Sequence, residues 1–206
     1  MWGLRTMAAL AAILVLVAGC GSGSSAKKAA PSTLQGYVPR PTLEVGALSL
    51  PDSSANDADF PFRAQPGKLL LAYFGYTNCP DICPATLADL RISLKRLGAE
   101  AGRVQVAMVT VDPARDTAEI LDTYLGHFFK DPHALRTDDP AALQAVADAF
   151  GVQYEVQTDA QGTVDVGHTS LVFAIDTKGR VVDAWPTGMD NKIVTDDLRL
   201  LLSRQT

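Results

Sequence analysis

Two cysteines four residues apart, in Gly75-Tyr76-Thr77-Asn78-Cys79-Pro80-Asp81-Ile82-Cys83-Pro84, constrain this chain more than any other feature. They follow an apolar run, Lys68-Leu69-Leu70-Leu71-Ala72-Tyr73-Phe74, which reads as a strand buried on both faces. They precede a helical pattern, Ala85 to Leu97, with leucines at 87, 90, 94 and 97 and Gly98 as its stop. A thiol pair at a strand-to-helix junction is poised for redox exchange or for holding a soft metal. Spacing i, i+4 brings two side chains onto one helical face, close enough to share a metal. The same turn also permits the Cα separation of roughly 4.4–6.8 Å that a disulfide needs. A helix N-terminus favours negative charge, so both thiols are expected to have lowered pKa values. Pro80 and Pro84 restrict the backbone and pre-organise the loop.

The start of the chain reads as an export signal over residues 1–19. Arg5 supplies the positive charge, and Met7 to Val17 is apolar but shorter than the roughly 20 residues that span a bilayer. Val17-Ala18-Gly19-Cys20 resembles a lipobox, in which the cysteine is lipidated and becomes the mature N-terminus. The alternative is an ordinary signal peptide with Cys20 incidental. Cysteine arithmetic favours lipidation: three cysteines leave one unpaired, and assigning Cys20 to lipid leaves Cys79 with Cys83. Outside the cytoplasm such a pair oxidises unless something reduces or metallates it. Residues 20–33, ending GSGSSAKKAAPST, carry no large apolar side chain and read as a flexible tether. Residues 34–206 suit one domain. Without the signal the chain holds 17 basic against 23 acidic residues, a balance that argues against nucleic acid as a partner.

Along that domain, Val38 to Pro66 holds five prolines and reads as a short hairpin with loops. Val104 to Val111 is a second strand, ended by Asp112-Pro113, and Asp116 with Glu119 could cap a helix from Thr117 to Phe129. A short strand is expected at Leu135 to Thr137, and Pro140 to Phe150 is a helix closed by Gly151. Val152 to Gln157, His168 to Asp176 and Arg180 to Trp185 read as a β-meander, and Ile193 to Leu202 as a closing helix. This order, with a thiol pair after the first core strand, is that of a thioredoxin-like α/β fold: a central mixed sheet flanked by helices, with an N-terminal hairpin extension and a β-hairpin insertion.

GYTNCPDICPATL, VDPARDT and VGHTSLVFAID, in that order, resemble the Sco/SenC family of copper-binding cytochrome c oxidase assembly proteins. The three blocks span Gly75 to Asp176. CPxxCP together with VDPxRDT is quite specific, whereas a lone CxxxC would be weak. Family members usually carry histidine just before the first cysteine, where this chain has Asn78; that position is not a metal ligand. The resemblance implies a membrane-tethered domain that binds one copper through Cys79, Cys83 and His168 and delivers it to the copper-site subunit of cytochrome c oxidase. It also implies exchange with another periplasmic copper chaperone or a thiol reductant. The expected location is extracytoplasmic, lipid-anchored to the membrane through Cys20.

The ligand set suits copper. Thiolates are soft donors that favour Cu(I), and imidazole suits both oxidation states. A structural zinc site wants four protein ligands, and only three are in view. Without the neighbouring blocks, His168 would read as an ordinary strand-end histidine bonded to a backbone carbonyl. Thioredoxin-like oxidoreductases typically place a cis-proline before the corresponding strand, and Val166-Gly167-His168-Thr169 contains none. His127 and His133 read as surface residues, Asp81 as solvent-facing, and Met189 as packing. Asp112, Arg115 and Asp116 read as a turn-and-cap network, and Phe74 and Tyr76 as packing around the thiol loop. The competing function is a thiol–disulfide oxidoreductase, with Cys79 and Cys83 as its redox pair, that keeps the oxidase cysteines reduced. A thiol peroxidase is a third reading, for which no peroxidatic motif is present.

Overall fold

A computed structural model describes residues 33–205; the signal segment, Cys20 and most of the tether lie outside them. Nine strands and four helices follow in the order β1 (Ser49–Asp52), β2 (Ala58–Pro61), β3 (Leu69–Gly75), α1 (Ile82–Leu97), β4 (Val104–Thr110), α2 (Ala118–Gly126), β5 (His133–Leu135), α3 (Pro140–Phe150), β6 (Tyr154–Thr158), β7 (Val164–His168), β8 (Leu171–Ile175), β9 (Val181–Pro186) and α4 (Asn191–Ser203). Seven strands form one mixed sheet in the order β2-β1-β5-β4-β3-β8-β9. Its centre, β3, β4 and β5, is parallel, and antiparallel strands extend it at both edges. This is the expected thioredoxin-like arrangement, with the N-terminal hairpin as β1–β2.

β3 is central because every one of its residues is apolar or small and all are buried. Its alternation sorts the two layers. Phe74 meets Phe150 of α3 and Phe173 of β8 edge-on at 5.2 and 6.2 Å. Tyr73, on the opposite face, lies toward Cys83 of α1. Alongside α1 runs α4, stitched to it by Ser93 Oγ donating to the Asn191 carbonyl (3.3 Å) and Thr195 Oγ1 donating to the Ser93 carbonyl (3.2 Å).

Four elements differ from the sequence reading. α1 begins three residues earlier than expected, because Pro84 falls within the first turn, where a missing N–H costs nothing. α2 is capped by Thr117, which accepts from the Ile120 N–H at 3.3 Å, while Asp116 is buried and does other work. β5 lies two residues before its expected place, so His133 is a strand residue. Its Nδ1 pairs with the buried Asp52 of β1 at 2.7 Å, and it is half-buried rather than a free surface group. The expected meander divides: β6 and β7 pair only with each other, and Thr169-Ser170 separate β7 from β8. His168 therefore ends an inserted hairpin instead of opening a core strand.

The domain's first residues are fastened by Asp197 of α4. Its carboxylate accepts from the Gln35 and Gly36 N–H groups (both 3.0 Å) and from Trp185 Nε1 (3.1 Å). A Cβ on Gly36 would overlap the Asp183 carboxyl. Burial and the adjacent Asp197 carboxylate push Asp183 up to about 7. An acid raised above its unfolded value of about 3.9 binds more protons in the folded state, so stability falls as pH rises from about 4 to 7. Asp183→Asn is expected to flatten that slope and to stabilise the domain at pH 8 by about 1 kcal/mol or more. Thermal melts at pH 5 and 8 check this; an unchanged slope would mean the carboxyl ionises normally.

Candidate metal and redox site

The thiol loop leaves β3 at Gly75 and is pinned by one buried carboxylate. Asp116 accepts from the Thr77 N–H (3.0 Å), the Thr77 hydroxyl (2.5 Å) and the Thr110 hydroxyl (2.6 Å). These bonds tie the loop to the end of β4 and to the segment before α2. That segment is held in turn by Arg136, whose Nε donates to the Asp116 carbonyl at 3.0 Å. Arg115 pairs with the buried Asp112 and lies over the Tyr76 ring, 5.9 Å from its centroid. The network expected of Asp112, Arg115 and Asp116 thus holds the thiol loop, by loop fastening rather than by helix capping.

Cys79 lies in the loop and Cys83 in the first turn of α1; both are free thiols. The Cys83 N–H donates to Cys79 Sγ at 3.3 Å. Burial pushes the Cys79 thiol up, but hydrogen bonds from Cys83, Asp81 and Tyr76 outweigh it and hold Cys79 below the usual thiol range. Cys83 goes the other way: it is fully buried, and burial pushes it up to about 12 despite a hydrogen bond from Tyr73. The expectation that the helix terminus lowers both therefore fails for Cys83, because desolvation exceeds the dipole there.

His168 arrives from the far side on the β6–β7 hairpin. Tyr154 lies opposite it, and the Thr169 N–H donates to the Gln153 carbonyl at 2.8 Å, closing the hairpin's base. Its Nε2 stands 3.5 Å from Cys83 Sγ, and its Nδ1 is 3.1 Å from the Thr169 carbonyl. A carbonyl only accepts, so Nδ1 carries the proton and Nε2 turns its lone pair toward Cys83. The rings of Tyr73 and Tyr76 meet the imidazole edge-on at 6.1 and 5.9 Å. Burial lowers the His168 pKa and keeps the ring neutral, the form that binds metals.

Cys79, His168, Tyr76 and Thr187 line one open cleft, with Cys83 behind it. Among the described residues, no trio of His, Cys, Asp or Glu side chains is gathered at metal-binding separations. Cys83 and His168 are brought together, and Cys79 joins Cys83 from the rim. The other candidates do not join them: His127 is exposed at the end of α2, Asp81 is exposed on the wall of the same cleft ahead of α1, and Met189 packs against the core. Phe74 packs away from the thiols, on the α3 face.

Sequence reasoning missed two supports of the site. Tyr73 is buried beneath His168, with its hydroxyl 3.5 Å from Ser170 Oγ. At Gly75 a Cβ would stand 2.7 Å from the Tyr73 ring and 3.1 Å from Cys83 Sγ. The only signal for either was alternation along β3, which puts residues 73 and 75 on the α1 face. Gly75→Ala should therefore displace the Cys83 sulfur and destabilise the domain by about 1–3 kcal/mol. The two thiols should also alkylate unequally. At pH 7 iodoacetamide should modify Cys79 at least about tenfold faster than Cys83 by mass spectrometry, and equal rates would contradict the burial asymmetry.

Comparison with known proteins identifies the family and the fold. The SCO1/SenC family profile matches residues 54–203. A Stutzerimonas stutzeri protein named "Putative copper-binding protein" is 34% identical over 125 residues, which is 60% of this chain and 61% of that curated relative's length. Among solved structures, copper-bound ScoI of Bradyrhizobium japonicum is 30% identical, covers 74% of this chain and 95% of its own, and superposes with a TM-score of 0.64. Apo Sco1 of Thermus thermophilus is 31% identical, with coverages of 82% and 97% and a TM-score of 0.70. With its profile met across most of the described residues, the chain belongs to the SCO1/SenC family.

Proposed function

We propose that this chain is an extracytoplasmic copper chaperone, lipid-anchored through Cys20, for the assembly of cytochrome c oxidase. Copper is its cargo. It binds one ion through Cys79, Cys83 and His168 and passes it by ligand exchange to the oxidase's copper-site subunit, with a further copper chaperone or a thiol reductant acting before it. The observation that carries this reading is the lone pair of His168 Nε2 facing Cys83 Sγ at 3.5 Å. Metal–sulfur and metal–nitrogen bonds of about 2.3 and 2.0 Å leave roughly that separation at an angle near 110°. Two soft sulfurs with one imidazole suit copper, and an incomplete shell open to a cleft suits transfer. The relatives named or solved with copper support the same cargo.

A second reading has its own support. Cys79 stands at the cleft with a hydrogen bond to its sulfur while Cys83 is buried behind it, the disposition of an attacking and a resolving thiol. That pair would reduce the oxidase subunit's cysteines before they take metal.

Anaerobic Cu(I) titration against a competing chelator separates the two. Losing an outer-shell partner costs about 10–100-fold in metal affinity, so Cys79→Ser, Cys83→Ser and His168→Ala should each cost at least about 100-fold. His168→Ala should leave dithiol exchange largely intact. Weak copper binding indifferent to His168 would make the oxidoreductase the working function. Affinity should also fall as pH is lowered from 8 to 6, because copper must displace the thiol protons.

A further inference from the structure

At the opposite end of the sheet from the thiols lies a cleft of about 690 Å³ between α1 and the segment after α2. Lys68, Arg91, Lys95 and Lys130 line it, and Asp131 is the one acid on its walls. Among the described residues none of these four cations is in an ion pair, although six other basic side chains are. Phe128 and Phe129, both half-buried, supply an apolar wall between the charges. The whole chain carries a net charge of −5, so the concentration of unpaired cations here is local. Lys68 immediately precedes β3, and the thiol loop leaves that strand's far end, seven residues or roughly 20 Å away. Near the thiol loop the exposed charges are of the other sign, with Asp81, Glu119 and Asp165 around it.

We propose that this basic cleft rests on the bilayer and takes the phosphate groups of anionic phospholipids, with Phe128 and Phe129 reaching the headgroup–acyl boundary. Cations near an anionic surface gain about 1 kcal/mol each, which four unpaired side chains in one cleft can sum, and aromatic rings favour that interface. The tether read from the composition of residues 20–33 would have an r.m.s. reach of roughly 20 Å and would return the domain repeatedly to that surface. Seated this way, the domain turns its thiol cleft away from the membrane, toward solvent and an incoming partner. The proposal rests on the membrane-anchored reading only for delivery of the domain to the surface.

The test is amide hydrogen exchange of the full chain on lipid nanodiscs, comparing anionic phosphatidylglycerol discs with zwitterionic phosphatidylcholine discs. Amides of residues 98–102 and 128–131 should exchange about tenfold more slowly on the anionic discs, with the thiol loop unchanged. Lys68→Gln/Arg91→Gln/Lys95→Gln/Lys130→Gln should abolish the difference, and Lys130→Glu alone, at an exposed position, should reduce it. Association with anionic discs only would uphold the cleft and sink the lipid anchor. Equal association and equal exchange on both discs would overturn the cleft and leave the anchor standing. The same protection from inorganic phosphate without discs would assign the cleft to a soluble anion and overturn the membrane contact.

Discussion

The buried carboxylate of Asp116 is the interaction on which the site depends. Three donors from two chain segments converge on it, so the loop holding Cys79 cannot move without leaving a buried charge uncompensated. Removing a partner from a buried polar group costs about 1–3 kcal/mol, more than losing an exposed contact would. That constraint explains why the segment 111–117 accompanies the thiol motif although none of its side chains lines the thiol cleft. Its function is mechanical: it converts the rigidity of the parallel sheet into a fixed position for a sulfur.

The site is assembled from three separate elements. Cys83 sits in the first turn of a helix packed on the sheet, Cys79 on a pinned loop, and His168 on a separate hairpin. The electrostatics follow the packing. The sulfur furthest from water holds its proton most tightly, and the one at the cleft gives it up more readily. Both candidate chemistries draw on this asymmetry, since a metal must displace the deeper proton and a disulfide must be attacked at the more open sulfur.

Much of this was legible in the sequence, because strong local patterns dictate strong local structure. The continuous apolar run of β3, the leucine spacing of α1 and the Pro140–Gly151 frame of α3 each specify one element with little help from tertiary contacts. The N-terminal hairpin, β5 and the division between β7 and β8 were less legible. Those strands are three to five residues long, and their bounds are set by pairing partners distant in sequence. The placement of His168 could be inferred only through family likeness, since nothing local in Val166-Gly167-His168-Thr169 says that its ring faces a thiol. The opposed shifts of the two cysteines escaped for the same reason. Helix-terminus arguments read from sequence carry the dipole but not the depth of burial that overrides it.

The β6–β7 hairpin forms no ladder with the main sheet and is held to the body by side-chain packing, chiefly of Val166, Tyr154 and Val164. Segments with few long-range partners open at lower free energy than the sheet they border. The imidazole therefore rides on a different element from either sulfur. A shift of that one arm would change the distance from the imidazole to Cys83 and leave the spacing of the two sulfurs as it is.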